Sequence, residues 1–224
     1  MPVFPNPSLQ LYTLRNALDT DFAGTMRRVA DIGYRQVEPF NFVDNADQLA
    51  AAFAETGLSA PSTHVALLKA DDQRVVFETA VRLGVGLVVD PFVDPSLWTD
   101  AGDIAETADK LNAAARLAAD FGLTVGYHNH HFELENRIDG RPALDVLVDS
   151  LDPAVVLEVD TYWVQVGGVD PVDLLQRLGS RVVAIHIKDG DGSLDTKKQV
   201  AVGSGALPIW SIIDAVPDLR VRVV

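Results

Sequence analysis

Residues 103–133 read DIAETADKLNAAARLAADFGLTVGYHNHHFE, and the stretch holds in small the pattern that decides the fold. Ile104, Ala108, Leu111, Ala114, Ala115 and Ala118 recur at helical spacing and form one broad apolar stripe, which predicts an amphipathic helix over 103–121. Gly122 stands where that helix must stop, because the residue after a helix commonly takes a left-handed conformation that glycine adopts without steric cost. Leu123-Thr-Val125 then opens a strand. It breaks at its C-terminal end into His128, His130 and His131, three of the five histidines in the chain. The unit runs helix, glycine stop, apolar strand, polar strand end.

The same grammar repeats in both directions. Candidate strands begin near Leu9, Tyr34, Leu58, Gly86, Leu123, Ala154, Arg181 and Leu219. Phe22, Met26, Val29 and Ala30 share one face of a second predicted helix over 19–32, and Gly33, Gly57 and Gly84 each precede a strand as Gly122 does. Strands separated by helix-sized crossovers pair in parallel. A closed barrel and an open doubly wound sheet both satisfy that rule. The first strand-to-helix turn, residues 14–19, has no glycine, which removes the dinucleotide fingerprint and the phosphate-binding P-loop. Eight units in a single domain, residues 1–224, favour the (β/α)8 TIM barrel. Val224 falls within what reads as the eighth strand, so the barrel is expected to be truncated at the end of strand eight, with its fold running on past that residue.

Composition narrows the function. A net charge of −14 with only 18 Lys and Arg argues against binding to a phosphate backbone. There is no cysteine, hence neither disulfide nor thiolate-bound zinc. The first residues lack a basic segment followed by an apolar one, and no apolar run reaches membrane-spanning length. A cytoplasmic enzyme with no nucleic-acid or membrane partner is the expectation.

Barrel enzymes carry their chemistry at the C-terminal ends of strands. Read in turn, those positions are Glu38, His64, Asp90, His128 with His130 beyond it, Asp160, and His186 followed by Lys188. Period-two alternation sorts their directions. In the seventh strand Ala184, His186 and Lys188 share a face while Val183, Ile185 and Ile187 share the other, so the polar set is expected to face the barrel axis. The same rule turns Glu158 and Asp160 inward on the sixth strand and Gly126, His128 and His130 inward on the fifth. Three adjacent strands thus aim His128, Asp160 and His186 at one region. Imidazole with carboxylate and no thiolate suits Mn²⁺, Co²⁺, Zn²⁺ or Fe²⁺, and Mg²⁺ if more oxygen ligands join. Asp90 precedes Pro91 and has the plainer reading of a loop or helix cap. Trp163 reads either as packing or as an apolar wall for a sugar ring.

With these residues assembled, the chain resembles the xylose isomerase-like TIM-barrel superfamily, the group of the sugar phosphate isomerase/epimerase family, the ketose 3-epimerases, the inosose dehydratases and the apurinic endonucleases. The resemblance rests on residues 10–15 (QLYTLR), 33–38 (GYRQVE), 127–133 (YHNHHFE), 158–163 (EVDTYW), 186–189 (HIKD) and 202–205 (VGSG). It implies one divalent metal ion held by an acid on strand five, Asp160, His186 and an acid on strand eight. His128 stands at the strand-five place, a departure in ligand chemistry. Glu158 is one layer deeper, as a carboxylate partner for a histidine. The strand-eight acid would lie past Val224, so the ion (Mn, Co, Zn or Mg) is expected to be held weakly or to be absent in this chain. Trp163 stands where ketose epimerases often place a substrate-contacting histidine, a second departure.

The implied reaction is proton transfer on a sugar, keto-sugar or sugar phosphate through an enediolate, giving isomerisation or epimerisation. Glu38, His64, His130 and Glu133 are the candidate proton carriers, and Lys188 the candidate for steadying oxyanion charge. Tyr12, Trp163 and Lys188 are the candidate substrate contacts. Loss of a β-hydroxyl or a glycosyl group from the same intermediate would make the chain a dehydratase or lyase instead. A non-catalytic sugar-binding barrel is the third reading, and a phosphodiesterase on abasic DNA a remote fourth. The expected partner is a small carbohydrate, with a homodimer as the candidate assembly. Gly203 and Gly205 offer a place for a substrate phosphate.

Overall fold

The computed structural model describes residues 6–216 and 219–224. Eight parallel strands form the barrel: β1 (Ser8–Gln10), β2 (Gln36–Glu38), β3 (Ser62–His64), β4 (Leu87–Asp90), β5 (Thr124–His128), β6 (Val155–Asp160), β7 (Val182–His186) and β8 (Val221–Val223). The ladder runs β2-β1-β8-β7-β6-β5-β4-β3. Its ends meet through single bridges, Gln36 with Ser59 and Phe40 with His64, and through Val37 N–H donating to Ser59 O at 2.9 Å and His64 N–H to Pro39 O at 2.8 Å. The first and eighth strands are stitched by Val224 N–H to Ser8 O and Gln10 N–H to Val224 O, both 2.9 Å. This is the nearly closed (β/α)8 TIM barrel that the alternating pattern implies.

Local chemistry sets the element ends. The long helix runs Ala101–Ala119, starting before its apolar stripe because Asp100 caps it by accepting from the N–H groups of Gly102 and Asp103. Gly122 follows with φ +70°, where a side chain would be strained. Helices pack their stripes, Met26 and Val29, Leu49, Phe77 and Ala80, Ile104 and Leu111, against the outward strand residues Val37, Val88, Val125, Leu157, Val159 and Ile185. No helix among the described residues is long and apolar enough to cross a membrane.

Inside the barrel a small apolar plug of Leu87, Val89, Val183, Ala184, Val221 and Val223 fills the lower layers. Gly126 completes it, since a Cβ there would lie 3.4 Å from side-chain carbons of Leu87, Val89 and Val156. Val183 departs from the alternation. Leu157 pairs with Val182 while its neighbour Glu158 pairs with Ala184, so Val183 is the extra residue of a bulge and joins Ala184 in the interior. Above the bulge the alternation resumes and His186 pairs with Asp160. The layer resting on the plug is polar.

Candidate active site

Six strands each send a polar side chain to that layer: Gln10, Glu38, His64, His128, Glu158 and His186, all buried. Glu158 sits at the centre. Its Oε2 lies 2.5 Å from His64 Nε2 and 3.2 Å from both His128 Nδ1 and His186 Nε2. The His64 and His186 rings stack at 5.1 Å, and His128 stands edge-on to His186 at 4.5 Å. Glu38 braces the opposite side. Its Oε1 accepts from Gln10 Nε2 at 2.7 Å and lies 2.7 Å from His186 Nε2, while Oε2 accepts from Ser62 Oγ.

Burial works against charge on every group here, and the neighbours decide the outcome. Burial would raise the Glu158 carboxyl, but His186 and His64 outweigh it and hold the group well below the usual range. Burial would lower His186, but Glu158 and Glu38 lift it to about 10. Burial and the nearby His186 push His128 well below its ordinary value, which leaves a neutral imidazole. The layer therefore holds at least one imidazolium between two carboxylates.

His64, His128, Glu158 and His186 each offer one ligand atom, and the four atoms lie within 4.8 Å of one another. Glu158 Oε1 is buried with no hydrogen-bond partner. Three imidazole nitrogens and a carboxylate oxygen suit Zn²⁺, Mn²⁺, Co²⁺ or Fe²⁺, so the residues present fit a divalent ion. Asp160 lies beside this group. Its Oδ2 accepts from Lys188 Nζ at 2.5 Å and lies 3.7 Å from His128 Nε2, and its Oδ1 caps the next helix through the N–H groups of Tyr162 and Trp163 at 3.1 Å. Burial opposes its charge, but Lys188, His128 and His186 outweigh that and keep it ionised.

The polar layer is the floor of a cavity of about 600 Å³ at the C-terminal end of the barrel. Tyr12, Phe40, Phe92, His130 and Trp163 supply aromatic walls, and Lys188 lines it with its ammonium 5.6 Å from the Trp163 ring centre. His130 stacks on Phe132 at 5.5 Å, and burial brings its pKa down to about 4. Glu133 is elsewhere. It is fully buried behind the turn, accepting from Tyr127 Oη at 2.6 Å and from His130 N–H at 2.9 Å, and it does not line the cavity. It holds the turn that presents His128 and His130. Asp90 also acts on the backbone, accepting from Leu68 and Phe92 N–H. Gln10, which carries Glu38, received no role from the sequence, although its place at a strand end was the available signal.

Glu133 yields a pH prediction. Burial raises its pKa from 4.5 to about 7, so the folded state binds the extra proton between those values. Stability from this group is present below pH 4.5 and declines as pH rises to 7, by about 3 kcal/mol at most. In Glu133→Gln that decline is absent. The difference between wild-type and variant urea-unfolding free energies is therefore expected to slope between pH 4.5 and 7 and to be flat above; a difference independent of pH would refute it.

The fold and the polar cluster define a TIM barrel with a polar site at its strand ends. The profile of the xylose isomerase-like TIM barrel family matches residues 26–221, and the chain belongs to that family. Among curated relatives, inosose dehydratase of Geobacillus kaustophilus is 31% identical over 119 residues, covering 49% of this chain and 38% of that protein. The match thus spans well under half of the relative's length. Among solved structures, a sugar phosphate isomerase/epimerase from Parabacteroides distasonis superposes with a TM-score of 0.83 at 20% identity, covering 99% of this chain and 87% of that one. The IolI protein, solved with a bound zinc atom, superposes at 0.73 with 15% identity, covering 98% and 87%.

Proposed function

We propose that the chain is a metal-dependent enzyme that moves a proton on a carbonyl-bearing carbohydrate through an enediolate, with isomerisation or epimerisation as the outcome. The observation that carries this is Glu158 among three imidazoles on the floor of an aromatic-walled cavity. A divalent ion, when bound by His64, His128, Glu158 and His186, supplies positive charge where a carbonyl oxygen becomes negative. The IolI protein, which shares this fold, was solved with a zinc atom, and that supports a metal here.

The chain's own groups do the rest. Trp163 and Phe92 offer flat apolar faces to a ring, and the aromatic wall limits water. Lys188 places an ammonium in the cavity, where it steadies developing oxyanion charge. The proton carrier of this reading is His130, a neutral imidazole that lines the cavity above the polar floor. Glu38 lies 3.2 Å from His64 Nε2 and 2.7 Å from His186 Nε2, and so braces two of the rings that would hold the ion.

Dehydration is the second reading, favoured by the inosose dehydratases among the relatives. It shares the enediolate and differs only in whether the β-hydroxyl leaves. Incubation of the metal-loaded protein with D-fructose and with an inosose in D₂O separates the two. Deuterium on carbon with no water lost is the expected result. Loss of water with an unsaturated product would assign the dehydratase, and neither product from a panel of keto-sugars would reject both.

A further inference from the structure

The loop after β7 is folded around one carboxylate. Asp189, buried, accepts four backbone N–H groups: Gly190 at 2.9 Å and Leu207 at 3.2 Å on Oδ1, Gly203 at 2.9 Å and Gly205 at 2.8 Å on Oδ2. The glycines are what allow the approach. A Cβ at Gly205 would lie 2.1 Å from Asp189 Oδ1, and Gly203 has φ +89°, a conformation that disfavours a side chain. Converging backbone N–H groups of this kind form a nest for an anion. In TIM barrels the loops after strands seven and eight are a frequent seat for a substrate phosphate. Here the anion in that seat belongs to the protein.

We infer that Asp189 is a built-in anion that fills the phosphate-type nest of this barrel and so makes the site selective for carbohydrates that carry no phosphate. The inference deepens the carbohydrate reading above and rests on it for the identity of the ligand. Gly203 and Gly205, the place a substrate phosphate would use, have no N–H left to give. The cavity's cations do not replace them. Lys188 is 2.5 Å from Asp160, and Arg15 at the mouth donates to Tyr12 O and lies over the Tyr12 ring. The floor adds Glu38, Glu158 and Asp160, whose charge opposes a phosphate dianion. Although burial would raise the Asp189 carboxyl, its four N–H partners outweigh that and keep it charged near neutrality. The same loop brings Thr196 and Gln199 to the cavity wall.

Hydrogen–deuterium exchange over residues 190–207, with and without millimolar inorganic phosphate, tests this on wild type and Asp189→Ala. In wild type the amides of Gly203, Gly205 and Leu207 are expected to exchange slowly, and phosphate changes nothing. In Asp189→Ala they exchange roughly tenfold faster or more, and phosphate restores their protection. Protection of the wild-type loop by phosphate would overturn the inference, as would failure of phosphate to protect the variant. If Asp189→Ala does not fold, Asp189→Ser, which keeps a small hydroxyl acceptor and still empties most of the nest, carries the same comparison. None of these readouts needs turnover, so the nest is judged separately from the proposed reaction.

Discussion

Glu158→Gln is expected to lower the affinity for Mn²⁺ or Zn²⁺ by at least about a hundredfold and to destabilise the metal-free protein by about 3 kcal/mol at pH 7. The reason is its position. One oxygen of Glu158 faces three imidazoles at 2.5 to 3.2 Å, in a buried layer. Glutamine keeps the shape but withdraws the negative charge that supports His186 as an imidazolium, and it weakens the oxygen as a ligand. Breaking a buried pair by neutralising one partner leaves the other charge uncompensated, which is far costlier than losing a surface ion pair. Calorimetric titration of metal into the variant, with urea unfolding of the metal-free form, reads both effects. Asp160→Asn is the informative control, because Asp160 is spoken for by Lys188 and two helix N–H groups. If Asp160→Asn loses the metal and Glu158→Gln keeps it, the ligand set implied by the family resemblance (His128, Asp160, His186) replaces the one proposed from the geometry.

The second large effect is on rate. Lys188→Met is expected to lower kcat by about 10² to 10³, the size seen when one preorganised donor to a developing oxyanion is removed. Lys188 is one-third exposed and reaches Asp160 from the cavity side, so methionine can follow the same path along Trp163 without opening a hole. Asp160 keeps its two backbone donors. A change in KM with kcat preserved would show that Lys188 only holds the ground state. Lys188→Arg should recover little, because a planar fork does not match the single short contact to Asp160.

How far the sequence alone leads can be judged from particular residues. Strand positions were legible because glycine stops and apolar runs are local signals; every expected strand start lies within a few residues of an observed one. The inward direction of His128, Glu158, Asp160, His186 and Lys188 was legible from alternation. Depth and partners were not. Alternation cannot show that Lys188 reaches back to Asp160, or that Glu158, one layer lower, stands among the histidines. Glu133 lies in the histidine cluster by sequence yet turns behind it, because a short helix, Phe132–Glu135, follows the strand at once. Val183 broke the alternation because a bulge is set by pairing with β6, a neighbour that the local sequence does not reveal. Asp189 was hidden for the same reason: three of its four N–H partners lie 14 to 18 residues downstream.

The stitching of β1 to β8 has a kinetic meaning. Gln10, which braces Glu38, is held by a hydrogen bond from its own backbone to Val224, and Ile187, next to His186, donates to Val223. Neighbours far apart along the chain must be brought together before this part of the ring exists, and contacts of such long separation form slowly. Most of the helices and the β3-to-β7 ladder can assemble before it. The polar floor is thus expected to be among the last features to form during folding, and a chain caught just short of closure would have native helices and no site.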